Sequence, residues 1–255
     1  MDRTQQGNVS VEHSNGVSTI SFYHPAHNSL PGNLLSQLTL AIEEAGTHPE
    51  TKVVVLRSAG DRTFCAGASF DELSAIDNLE QGKRFFLGFA NVINAMRKCP
   101  KFIVGRVQGK AVGGGVGLAS AVDYCLATKW ASVKLSELAV GIGPFVVGPA
   151  VQRKIGLSAF SQMSINAKEW QTAAWAKEKG LFTEVFDTAE QLDAYLEHFV
   201  ETLKSYNPEA MKKLKEVIWE GTENWDELLD ARAAISGQLV LSDFTRDAIA
   251  AFKKK

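Results

Sequence analysis

Between Val107 and Cys125 the chain reads VQGKAVGGGVGLASAVDYC, and its glycines restrict what can be built around them. A β-type run, Phe102 to Val107, enters a cluster made by Gly113, Gly114, Gly115 and Gly117. The small residues Leu118-Ala119-Ser120-Ala121-Val122 that follow read as a buried helix. Successive glycines between a strand and a helix allow a sharp turn and leave amide N–H groups open to a ligand. The helix N-terminus adds positive potential at the same point. Such a corner can hold an anion, or an oxyanion that develops during a reaction. A tight turn with close helix–strand packing would use the same glycines, so the corner alone leaves both readings open.

The residues on either side alternate between strand and helix patterns. Val9 to Phe22 reads as a hairpin turning at Asn15-Gly16. Gly32 to Gly46 has helical spacing, with Leu34, Leu35, Leu38, Ile42 and Ala45 on one face. Val53-Val54-Val55-Leu56 is a continuous apolar run, as expected of a strand buried on both faces. Ala59 to Phe70 forms a strand-to-loop passage ending in a second glycine corner at Gly67. Glu80 to Lys98 reads as a helix, and Lys101 to Val107 as the strand entering the central glycines. Short strands are expected at 124–128, 132–135 and 183–186, with helices at 147–156, 158–166 and 168–180. From Thr188 onward the pattern is helical, which predicts an α/β core over residues 1–195 and a helical region over 196–255.

Composition removes several classes of function. A net charge of −2 gives no basic surface for nucleic acid, and Lys253-Lys254-Lys255 is too short a run to supply one. There is no apolar run of membrane-spanning length, so no membrane partner is expected. Residues 1–16 are polar and lack the apolar core of a signal peptide. The three cysteines, Cys65, Cys99 and Cys125, have neither disulfide-framework nor metal-ligand spacing. A reducing, cytoplasmic setting and no bound metal are expected from this.

Five segments in order resemble the crotonase family, the enoyl-CoA hydratase/isomerase group. They are His24-Pro25-Ala26-His27-Asn28-Ser29-Leu30, Phe64 to Leu73, Val107 to Leu118, Asp123 to Thr128, and Glu137-xxx-Gly141-xx-Pro144. The resemblance implies a crotonase-like α/β fold, a β-β-α superhelix with a C-terminal helical oligomerisation region, assembled as a homotrimer or as a hexamer of paired trimers. It implies an acyl-CoA thioester as substrate, with coenzyme A arriving as part of the substrate and no separate cofactor. Carried over residue by residue, it places the two amides of an oxyanion hole at Ala68 and Gly114 and the acid/base at Glu137. Coenzyme A would lie along Ala26, His27, Ala66, Ala68 and Phe70.

The chemistry behind this resemblance is stabilisation of a thioester enolate, where each amide donor is typically worth ~3–4 kcal/mol of barrier. A proton must also move, and Glu137 stands among Leu135, Leu138 and Val140, where burial would raise its pKa. The sequence departs from the family at three positions. Ser136 stands where a proline is usual, Ser69 where an aspartate is usual, and Gly117 where hydratases carry a second glutamate. One carboxylate suits a 1,3-proton shift better than addition of water, so Gly117 favours isomerisation of a 3-enoyl to a 2-enoyl thioester. Hydration, thioester hydrolysis, decarboxylation and a non-catalytic acyl-CoA-binding role remain open at this point. Gly117 is also expected to open room in the acyl pocket, which Phe145 and Trp130 are candidates to line. A serine hydrolase is excluded, because there is no G-x-S-x-G motif and Ser120 falls inside the buried helix.

Overall fold

The computed structural model describes residues 7–253, so residues 1–6 of the polar N-terminus and the last two lysines lie outside it. The chain opens with the hairpin β1 (Asn8–Ser14) and β2 (Val17–Tyr23), paired antiparallel from Asn8↔Tyr23 to Ser14↔Val17. Asn15 and Gly16 both take positive φ, as a two-residue turn matched to strand twist requires. Helix α1 (Gly32–Thr47) follows, then β3 (Val53–Ser58) and β4 (Thr63–Cys65). Next come α2 (Phe70–Ser74), α3 (Leu79–Lys98), β5 (Phe102–Val107) and β6 (Lys110–Val112). Helix α4 (Gly114–Ala121), β7 (Tyr124–Thr128) and β8 (Ser132–Lys134) complete the repeating part.

These strands divide between two sheets. One is ordered β1-β2-β3-β5-β7-β10, where β10 is Glu184–Phe186, and the other β4-β6-β8-β9, where β9 is Gln171–Thr172. Each turn of the chain lays one long strand in the first sheet and one short strand in the second: β3 then β4, β5 then β6, β7 then β8. Within each sheet these strands are parallel, so the chain advances as a spiral of strand–strand–helix units.

Burial accounts for the apolar runs. In β3 the side chains of Val54 and Leu56 enter the core shared with α1 and α3. Val53 and Val55 face the other way, against Leu192, Val200 and Leu203 of α7 (Ala189–Lys204). A strand covered on both faces has no polar side, hence VVVL.

Helix α5 (Gly148–Ile165) breaks at Gly156 (φ 76°, ψ 164°), a conformation open to glycine, giving the two segments expected there. The expected helix over 168–180 is shorter: β9 pairs with β8 at Ser132↔Thr172, and α6 (Ala173–Glu178) starts at the Thr172 cap. Residue 195 lies inside α7, where Tyr195 packs on Phe186 and Phe199, so it does not mark a break in packing. Helix α8 (Pro208–Ile218) is held by a buried ion pair. Lys215 Nζ lies 2.8 Å from Asp123 Oδ2, and Asp123 also accepts from Ile103 N and Trp219 Nε1. Helix α9 (Trp225–Leu239) lies along α3, and α10 (Asp243–Lys253) returns beside the turn after β8. No described helix is long and apolar enough to cross a membrane.

Candidate active site

The three short strands β4, β6 and β8 are neighbours and run parallel, with Cys65↔Ala111 and Ala111↔Val133 in register. Parallel pairing brings their C-terminal ends to one edge, where open α/β sheets place ligands. The first end leads into Gly67-Ala68, the second into Gly113-Gly114, and the third into a single 3-10 turn, Glu137–Val140. Segments some seventy residues apart along the chain thus meet around one cavity of about 100 Å³, lined by Ala68, Gly114 and Glu137 among others. The two corners are in backbone contact. A Cβ on Gly67 would stand 3.0 Å from Val112 O and 3.6 Å from Gly114 N. Among the described residues, no hydrogen-bond acceptor is found for the amide of Ala68 or of Gly114.

Each glycine of the triplet has its own reason. Gly113 takes φ +52°, and a Cβ there would sit 3.0 Å from Glu137 Oε1. At Gly114 a Cβ would overlap the Phe89 ring, and at Gly115 the backbone of Cys65. Tight packing and an open amide are therefore both present at this corner, and the two readings of the sequence do not compete.

Glu137 keeps some exposed surface as a residue, but its Oε2 is buried and has no hydrogen-bond partner. Burial pushes the carboxyl up to about 7, against a smaller opposing effect of its own backbone N–H. The surroundings explain this: Phe70, Phe85, Phe86, Phe89, Val140 and Ile142 line the same cavity. A carboxyl held near neutrality can accept a proton and return it, which general acid–base catalysis needs. Cys65, beside the first corner, is fully buried with its thiol pushed up to about 12, so it stays protonated. Ser120 is buried and donates to Val116 O at 2.8 Å, so its hydroxyl is committed to its own helix.

Of the residues expected to lie along coenzyme A, Ala66, Ala68 and Phe70 line the cavity. Ala26 and His27 do not; they sit exposed in the loop leading to α1. That loop is nonetheless tied to the first corner, through Leu30 N donating to Gly67 O at 2.8 Å. Asn28, quoted above only within a motif, anchors it. Its Nδ2 donates to Ala59 O and Thr63 O, each at 2.8 Å, and its Oδ1 accepts from His24 N at 2.9 Å. Ser69 caps α2 in place of the usual aspartate, accepting from Glu72 N at 3.3 Å. Glu72 accepts from Gly32 N at the start of α1.

Two expectations about the acyl pocket change. Phe145 lines the cavity, but Trp130 is 72% exposed in the turn after β7, with Lys129 Nζ 5.3 Å from its ring centroid. Gly117 does not open room. It is buried, and a Cβ on it would fall 2.6 Å from Val147 Cγ1. Val147, from the segment leading into α5, occupies the space and lines the cavity instead. No sequence signal links residue 117 to residue 147. Ser236, from α9, also lines the cavity, and no local sequence signal marks it as a site residue.

The family model for enoyl-CoA hydratase/isomerase matches residues 12–255. A protein of Clostridium acetobutylicum named short-chain-enoyl-CoA hydratase is 27% identical over 251 residues, covering 97% of this chain and 95% of that protein. A peroxisomal Δ(3,5)-Δ(2,4)-dienoyl-CoA isomerase of Arabidopsis thaliana is 25% identical over 244 residues, covering 89% of this chain and 86% of its own length. The crystal structure of an enoyl-CoA hydratase from Mycobacterium avium subsp. paratuberculosis K-10 superposes with a TM-score of 0.83 at 27% identity, covering 95% of this chain and 97% of that one.

Proposed function

The chain belongs to the enoyl-CoA hydratase/isomerase family and is an acyl-CoA enzyme of that type; within that type, we propose that it moves a double bond, converting 3-enoyl-CoA to 2-enoyl-CoA. The thioester oxygen accepts hydrogen bonds from the Ala68 and Gly114 amides. Ionised Glu137 takes a proton from C2, and the electron pair delocalises onto that oxygen as a dienolate. Glu137 then returns the same proton to C4, and the double bond settles between C2 and C3. No water is consumed and no group leaves.

One observation carries this reading. The position at which a second carboxylate would stand is Gly117, and Val147 fills the space beside it. Among the described residues that line the cavity, Glu137 is the one ionisable side chain. Adding water asks one group to activate water while another manages the α-proton, and one carboxylate suits the proton shift. Hydration is the competing reading, favoured by the name of the Clostridium relative. Coenzyme A is proposed to run over Ala66 and Phe70 towards the loop carrying Ala26 and His27, and assembly as trimers or paired trimers is proposed with it.

Incubation with 3-enoyl-CoA and 2-enoyl-CoA panels, read by mass and by double-bond position, tests the proposal. The expected product of the first is its 2-enoyl isomer at unchanged mass. Water addition to 2-enoyl-CoA faster than isomerisation of the 3-enoyl ester would overturn it.

A further inference from the structure

The cavity holds a polar atom that the proton shift does not use. Ser236 on α9 lines the cavity, is 1% exposed, and has no hydrogen-bond partner for its Oγ among the described residues. A helical serine commonly returns its hydroxyl to the carbonyl four residues back, as Ser36 and Ser120 do here. Ser236 makes no such bond. An alanine would fill the place without burying an unsatisfied hydroxyl and would suit the helix better.

Its position is set by a close helix crossing. A Cβ on Gly82 of α3 would stand 2.6 Å from Gly237 O, and one on Gly237 would stand 2.5 Å from Lys83 N. The two helices meet backbone to backbone, and the residue next to that contact is Ser236. The same crossing sets Phe85 and Phe86 of α3 on the cavity wall.

We propose that the Ser236 hydroxyl hydrogen-bonds a neutral oxygen on the acyl chain, so that the preferred substrate is an enoyl thioester bearing a hydroxyl or a ketone rather than a plain hydrocarbon chain. The rest of the lining selects that class. Among the described residues, no lysine, arginine or histidine lines the cavity. Arg232, one turn before Ser236, donates to Phe145 O at 3.4 Å and lies outside the lining. A carboxylate on the acyl chain would be buried without a counter-charge, close to Glu137. A neutral oxygen meets no such penalty and satisfies Ser236. The assignment rests on this cavity being the acyl-CoA site; it does not depend on whether the reaction is isomerisation or hydration.

Calorimetric binding of saturated, unreactive esters to the full chain tests it without turnover. Hexanoyl-CoA is compared with oxohexanoyl-CoA carrying the ketone at the fourth or fifth carbon and with hydroxyhexanoyl-CoA carrying the hydroxyl at the last. One of the oxygenated esters is expected to bind about tenfold tighter than hexanoyl-CoA, the scale of one neutral hydrogen bond. Ser236→Ala is expected to remove that difference by weakening the oxygenated ester, leaving hexanoyl-CoA unchanged or tighter. Equal binding of all esters to the wild-type chain, or equal weakening of both kinds in the variant, would overturn the proposal. Failure of every ester to bind would remove the acyl-CoA reading of the cavity and this inference with it. Selective oxygenated-ester binding without isomerase turnover would retain the inference and reject the isomerase reading alone.

Discussion

Replacing Glu137 by glutamine should make the protein more stable at pH 8 and inactive. Burial, which leaves Oε2 without a partner, raises the carboxyl from 4.5 to about 7 in the folded chain. Between those values the folded state holds a proton that the unfolded state has released. Stability therefore falls as pH rises through that window, with slope set by one proton. The full penalty stands above about pH 7 and vanishes below about 4.5. At 1.36 kcal/mol per unit, a rise of this size costs roughly 3 kcal/mol. Glutamine keeps the shape and never ionises, so it escapes the penalty. Urea unfolding of both forms, at fixed protein concentration across pH 5 to 8, measures the gap. It should widen by ~2–3 kcal/mol over that range, or roughly 5–10 °C in Tm for a chain of this size. The wild-type kcat/KM should fall about tenfold per pH unit below 7, as the base form is lost. A gap that stays constant with pH, or narrows as pH rises, would show that the carboxyl titrates in the ordinary range. The geometry of an unsolvated base would then be wrong.

Gly117→Glu alone should lower stability by ~1–3 kcal/mol, because the new side chain meets Val147 at the position of its first carbon. Combined with Val147→Ala it should recover stability and gain water addition to 2-enoyl-CoA, seen as a mass increase of one water; hydration by the single variant at the same rate would refute the steric account. Lys215→Met should cost roughly 3–5 kcal/mol by leaving Asp123 buried without its counter-charge. A loss in urea unfolding below about 1 kcal/mol would show that Ile103 N and Trp219 Nε1 suffice to hold that carboxylate.

The sequence by itself determined the turns, the buried strands and the list of chemical groups. Asn15-Gly16, the run Val53 to Leu56, and the glycines at 67 and 113–115 each carry their meaning in the local backbone or in a short apolar period. The acid/base candidate came from the family resemblance that Glu137, Gly141 and Pro144 carry, and the fold buries its carboxyl. Strands of two or three residues, β4, β6 and β9, are too short to show a period and exist because neighbours pair with them. Those pairings bring Ala68, Gly114 and Glu137 to one edge. Val147 against Gly117, Gly82 against Gly237, and Ser236 on the cavity wall are contacts between distant segments. Such contacts leave no trace in local propensity, because each residue would read the same way if its partner were absent. Only the packed chain decides which atoms share a space too small for water and which polar group is left without a partner.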